Sequence, residues 1–216
     1  MTMIDGVAFL AVARTARTLI AEPAVSQARE RSSALPGFTV GGLAAHLGAQ
    51  VLMAAGYLSA PVPEGPVVSA VEHYARATWV DADRDADINI AIRDGGELIA
   101  HDGPASLLAG IDEALATLDV GLPTAAADRP VATPAGPWAL PLGEALLTRA
   151  MEIAVHDDDL AASVGLPTPD LPDAAIDPVL GLLVVVAARR RGQPALLRAL
   201  TRAERAPAAV AAFGPA

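Results

Sequence analysis

Apolar residues return every three to four positions over most of this chain, and proline or glycine interrupts the returns at intervals that suit helices and their turns. Residues 5–21 read as an amphipathic helix, and Pro23 restarts a short turn that ends before Leu35-Pro36-Gly37. Thr39 can cap a second long helix, VGGLAAHLGAQVLMAAGYL, whose small residues would let a neighbour approach closely before Pro61 and Pro63 stop it. PVVSAVEHYARATW and DADINIAIRDGGELIA are two further helical stretches separated by the acidic segment 81–87, with Asp94-Gly95-Gly96 reading as a turn. Asp102-Gly103-Pro104 opens a helix to about Leu118. Residues 121–142 are rich in proline and predict a long connection with a short extended piece near Trp138, of the kind that often wraps a site.

A helix over 142–164 follows, closed by Gly165-Leu166-Pro167, and two more are expected at about 177–191 and 194–205 before an alanine-rich end that frays. The segment PTPDLPD places a domain boundary near residue 168. Four long helices, at roughly 5–30, 39–59, 103–119 and 142–164, predict an antiparallel bundle, whose sites are built from side chains that face inward on adjacent helices.

Composition sharpens this into an all-α (mainly α) fold. Hydrophobic residues make up 53% of the chain but aromatics only 3%, so the apolar content is largely alanine, leucine and valine. A net charge of −10 argues against a nucleic-acid partner, which needs clustered cations to displace counterions. The one basic run, Arg189 to Arg191 before Gly192, suits a helix C-terminus. The longest apolar run, 178–188, is about half of what a membrane span needs, and the first residues lack the pattern of a secretion signal. A soluble cytoplasmic protein is the expectation, and its alanine-rich helix faces leave a homodimer open. With no cysteine in the chain, any sulfur chemistry must use a thiol brought from outside.

The chemistry gathers in EIAVHDDDL. Residues three and four apart share a helix face, so Arg149, Glu152, His156 and Asp159 form one polar stripe. Facing water, such a stripe is an ordinary charged surface. Facing His46, which sits on the apolar Leu43 to Leu47 part of the second helix, it supplies two imidazoles and a carboxylate, a set that can hold a divalent ion with positions left open. Zinc suits the set, and nickel, manganese or iron(II) are compatible with it. Asp159 could orient a ligand histidine, while Arg149 could pair with Glu152 or hold an anionic substrate group, which makes both candidates for a catalytic role. Asp157 and Asp158 read as solvated, and His73 and His101 as surface or cap residues.

LPGFTVGGLAAHLG (35–48), followed about a hundred residues later by RAMEIAVHDDDL (149–160), resembles the mycothiol-dependent maleylpyruvate isomerase-like family of the DinB-like four-helix bundles. In that family the histidine after the Pro-Gly-aromatic-Thr-Val segment, and the glutamate and histidine of the E-x-x-x-H segment, bind the metal; they match His46, Glu152 and His156. The resemblance spans about residues 1–165. It implies a metal-binding bundle over 1–168 and mycothiol as the thiol cosubstrate; the helical pattern adds a short extension at 169–216, shorter than the separate C-terminal domain of the isomerases. The implied activity is a transferase or isomerase acting on a small electrophilic substrate. The residues by themselves leave two other readings: a non-catalytic bundle that binds a small ligand or partner around a structural metal, and a metal-dependent hydrolase.

Overall fold

The computed structural model describes residues 3–80 and 82–214; Asp81, which opens the acidic segment, lies outside them. Asp5 accepts a hydrogen bond from the Ala8 amide (2.8 Å) and so starts α1 (Gly6–Ile20). Pro23, in the first turn, starts the short α2 (Pro23–Gln27). Thr39 caps α3 (Val40–Ser59) by accepting from the Gly42 amide at 2.9 Å. The last turn of α3 is closed by a cation, because the Arg129 guanidinium donates to the carbonyls of Tyr57 and Ala60. Then come α4 (Ala70–Arg76), α5 (Asp87–Ala100) and α6 (Pro104–Gly121), followed by the longest helix, α7 (Leu142–Val164). Gly165 ends α7 at φ +71°, a left-handed conformation that glycine adopts without a Cβ clash.

α3 packs against both α6 and α7, and α1 against the same two helices, which makes the expected bundle. Its core is filled by Phe9, Leu43, Leu47, Ile111, Leu147 and Met151, all sealed from solvent. Small residues set the spacing: a Cβ at Gly48 would lie 2.8 Å from the Ile111 side chain, so α6 approaches α3 where α3 has no side chain.

Two segments depart from expectation. Asp94-Gly95-Gly96 does not turn; it lies inside α5, where α5 crosses α3. A Cβ on Gly96 would stand 2.7 Å from the Gly42 carbonyl oxygen and 3.1 Å from the Phe38 ring, so this glycine allows close helix approach. Gly96→Ala should therefore destabilise the protein. The better helix propensity of alanine is worth about 1 kcal/mol, whereas overpacking against a backbone atom costs about 1–3 kcal/mol. Urea unfolding that showed the variant to be more stable than the parent would refute this account of the α3–α5 contact.

The second departure is α8 (Asp173–Arg191), which begins a turn before the expected start, so that Pro178 lies within the helix and its ring replaces one backbone donor. α8 packs on α1, α4 and α7, and contributes Ala175, Val179, Leu182 and Val186 to the core. Gly192 (φ +87°) caps it and leads into α9 (Gln193–Thr201), four residues shorter than the expected 194–205 segment at its C-terminal end. The chain after α9 returns to the bundle: Phe213 packs on Tyr74 and Trp79, and Arg190 and Arg191 donate to the Gly214 carbonyl. The long connection contains the expected extended piece as a small antiparallel pair, β1 (Pro130–Ala132) and β2 (Ala139–Pro141), with Val131 opposite Leu140 and both buried. No helix among the described residues is long and apolar enough to cross a membrane.

Candidate metal centre

The route to the centre begins at the helix cap. Glu97 on α5 accepts hydrogen bonds from the Thr39 amide (2.9 Å) and the Thr39 hydroxyl (3.0 Å), in space left by the missing side chain of Gly42. The start of α3 is thereby fixed to α5. Less than two turns later α3 presents His46, with the Phe38 ring tilted against it at 5.6 Å between centroids.

From the facing helix α7, Glu152 and His156 project toward the same point. Candidate ligand atoms of His46, Glu152 and His156 all lie within 4.8 Å of one another. The two imidazoles meet edge to face at 4.9 Å, and Glu152 Oε2 is 3.4 Å from His156 Nε2. On its other side, His156 Nδ1 lies 3.0 Å from Asp159 Oδ2. A neutral His156 that donates from Nδ1 to Asp159 leaves its Nε2 lone pair beside Glu152, which is how an outer carboxylate fixes the tautomer of a metal-binding histidine. Two imidazole nitrogens and a carboxylate, with a carboxylate behind one imidazole, make a donor set that fits a divalent cation.

Electrostatics prepare the three groups differently. Burial, and then the neighbouring His156 charge, push His46 down to about 4, so it is neutral near pH 7. Burial alone would raise Glu152, but the His156 hydrogen bond and the charges of Arg149, His156 and His46 outweigh it and hold the carboxyl at about 2. Burial alone would lower His156, but its bonds to Asp159 and Glu152 raise it to about 9. Without a cation, the centre therefore carries one extra proton, which makes His156 an imidazolium near pH 7.

The remaining sequence candidates fall into place with corrections. Arg149 is buried (9% exposed), but its hydrogen bonds go to Gln50, Thr148 and the Met53 sulfur, and no ion pair within 4 Å joins it to Glu152 among the described residues. Asp158 is exposed and accepts from the Thr168 hydroxyl, as a solvated residue can. Asp157 is not solvated: it is 1% exposed and both carboxylate oxygens lack a partner. His101 is exposed at the end of α5, as expected. His73 is no surface residue; it is 2% exposed, and its Nδ1 accepts from the Trp138 indole at 3.1 Å. Its helix carried a signal for this, since Ala70, Tyr74 and Ala77 repeat on the same face.

Gln50 was not singled out from the sequence, although it lies one turn after His46. Its amide oxygen accepts from Arg149, and its nitrogen donates to the His46 carbonyl at 3.0 Å, so the amide has one orientation and links the buried cation to the ligand helix. Around these groups lies a cavity of about 390 Å³. Phe38, Met53, Trp79, Ile88 and Ile92 give it apolar walls, Thr133 to Ala135 of the β-connection close one side, and Arg84 and Arg93 bring positive charge.

The family model described as the mycothiol maleylpyruvate isomerase N-terminal domain matches residues 9–161. Among solved structures, the crystal structure of the mycothiol-dependent maleylpyruvate isomerase aligns with a TM-score of 0.51 at 19% identity, covering 88% of this chain and 72% of that one. A histidine-to-alanine mutant of that isomerase aligns over the same shares at 19% identity, with a TM-score of 0.47. No curated protein sequence matches.

Proposed function

The chain belongs to the family of the mycothiol maleylpyruvate isomerase N-terminal domain, and from that premise we propose that it is a metal-dependent enzyme that uses a low-molecular-weight thiol, mycothiol, to isomerise or conjugate a small electrophilic substrate. The observation that carries the proposal is the convergence of His46, Glu152 and His156 from two facing helices at the foot of one cavity. These three side chains would hold the ion, with zinc the best match to the donors. A bound divalent ion supplies Lewis acidity, lowering the pKa of a thiol so that it is a nucleophile near neutral pH.

The chain's own residues do the rest. Asp159 holds the His156 ring in the tautomer whose Nε2 is free to act as a ligand. Arg149, held by Gln50, places a fixed positive charge beside the cavity and favours anionic groups within it. The apolar walls lower the polarity around these charges, which strengthens both effects. The thiol must come from outside, because the chain has no cysteine.

The test is purification with metal analysis, followed by assay of maleylpyruvate isomerisation and of thiol conjugation, with and without mycothiol. Turnover that survives complete metal removal, or that is indifferent to the thiol, would refute the proposal. The protonation states give a second expectation. His46 is neutral above about pH 4 and Glu152 is ionised above about pH 2, so zinc uptake near pH 7 must displace one proton, from His156. Apparent zinc affinity should then rise about tenfold per pH unit and level off above about pH 9. Calorimetry at pH 7 in two buffers of different ionisation heat should report one proton released per zinc ion; a value of zero would contradict the charge assignment.

A further inference from the structure

His73 faces the cavity from α4, on a helix that supplies no candidate ligand. Its imidazole is buried between two aromatic neighbours, with the Tyr74 ring edge-on at 5.0 Å and the Trp138 ring at 6.0 Å. The indole nitrogen of Trp138 can only donate, so the His73 Nδ1 that receives it must carry the lone pair. The ring proton therefore sits on Nε2. That nitrogen has no protein partner among the described residues, and it is not among the buried side-chain atoms sealed off without one, which are Tyr74 Oη and the two Asp157 oxygens. It opens into the space that His73 lines.

Charge keeps the ring in this state. Burial, and then the Arg149 charge, lower the His73 pKa to about 4 against the opposing pull of Glu152. The guanidinium of Arg76 lies 5.8 Å from the Trp138 ring centre, a cation–π contact that helps to hold the indole in place. An imidazole so placed is neither an acid nor a base near neutral pH. It is a fixed, uncharged N–H donor.

We propose that His73 is a substrate-contacting residue, whose Nε2–H donates a hydrogen bond to a carbonyl or carboxylate oxygen of the small molecule bound in the cavity, with Trp138 holding it in the donating tautomer. The inference rests on the reading of this cavity as the substrate site. No proton is transferred: the donor stabilises charge that gathers on the substrate oxygen while the thiol attacks elsewhere on the molecule. Such preorganised donors do most where water is excluded, because they need no reorientation as charge develops. The roles in the cavity then divide between the α3–α7 cluster, which activates the thiol, and α4, which receives the electrophile's oxygen.

The test has one arm that needs no turnover. In protein labelled with ¹⁵N at histidine, long-range proton–nitrogen correlation should show His73 protonated at Nε2 alone from pH 5 to 8, and Trp138→Phe should release a mixture of tautomers. Maleate, pyruvate and maleylpyruvate are the probes: at least one should shift the Nε2–H line of the parent zinc-loaded protein. A ring protonated at Nδ1, or a line that none of the three moves, overturns the proposal. In the second arm, with mycothiol and maleylpyruvate, His73→Phe should lower kcat about a hundredfold with zinc content and thiol KM unchanged. His73→Gln, which keeps an N–H donor, should recover part of that loss. A His73→Phe enzyme within threefold of the parent overturns the inference while leaving the proposed function standing. An inactive parent whose Nε2–H line still moves with a probe removes the function and keeps the donor.

Discussion

Replacing Glu152 by alanine is expected to weaken zinc binding by more than a hundredfold and, in the metal-free protein, to cost about 3 kcal/mol of folding stability, the range found when one partner of a buried charged cluster is removed. Glu152 is a negative centre beside cations: His156 Nε2 lies 3.4 Å from its carboxylate, and the Arg149 charge also favours its ionised form. Without it, the buried Arg149 charge keeps only neutral partners in Gln50, Thr148 and Met53. His156 retains Asp159 and can release its proton, which limits the loss.

The sign of the pH dependence follows from the depressed carboxyl. Its stabilising contribution is present above the unfolded carboxylate value near 4.5 and is lost as pH falls through about 2, so the parent and the alanine variant should converge in strong acid. Glu152→Gln separates shape from charge, and should lose the zinc affinity while recovering part of the packing. The measurements are metal content after dialysis and urea unfolding at pH 7 and pH 2.5. A Glu152→Ala protein with full zinc content and unchanged stability would reduce the stripe on α7 to a solvated surface, where substitutions stay within about 0.5 kcal/mol.

How far the sequence carries can be followed residue by residue. α1, α3 and α7 were legible to within a residue or so, because each opens or closes on local chemistry: the Asp5 and Thr39 caps, and the left-handed Gly165. The polar stripe of α7 was legible from helical spacing, but spacing does not say what the stripe faces. That information resides in α3 and in the crossing that brings α3 against α7. Gly96 misled for the same reason. Asp-Gly-Gly is turn chemistry locally, and only the passage of the Gly42 carbonyl 2.7 Å from its missing Cβ explains it as a helix contact. The burial of His73 was legible from Ala70, Tyr74 and Ala77 on its face, but its hydrogen bonding depended on the Trp138 indole, sixty-five residues away. Gln50 carried no signal by itself, since a glutamine on a helix becomes informative only once Arg149 is known to meet it.

Asp157 continues by helical spacing the face of Ile153, Leu160 and Ala161, a signal that the acidic run around it outweighed, and its replacement by asparagine is expected to stabilise the protein at alkaline pH. Both carboxylate oxygens are buried without a hydrogen-bond partner. Burial pushes the group up to about 7, against the lowering effect of the His156 charge. A carboxyl whose folded pKa lies above its unfolded value of 3.8 contributes stability that is fully present below pH 3.8 and lost as pH rises through about 7. The whole swing amounts to about 4 kcal/mol as an upper figure, since a pKa unit is worth about 1.4 kcal/mol. The asparagine side chain has nearly the volume of the protonated acid and, like it, would carry unsatisfied polar atoms, so the two proteins should be nearly equal at pH 4. At pH 8 the parent must bury an ion or protonate against the solvent, and the variant should be more stable by about 2–4 kcal/mol. Asp158→Asn is the control, because it removes an exposed carboxylate from the same helix. Urea unfolding of the three proteins at pH 4, 6 and 8 decides the matter. If the Asp157→Asn and parent curves stay parallel across that range, the carboxylate has found a partner, and the account of Asp157 as an unpaired acid in the core of α7 fails.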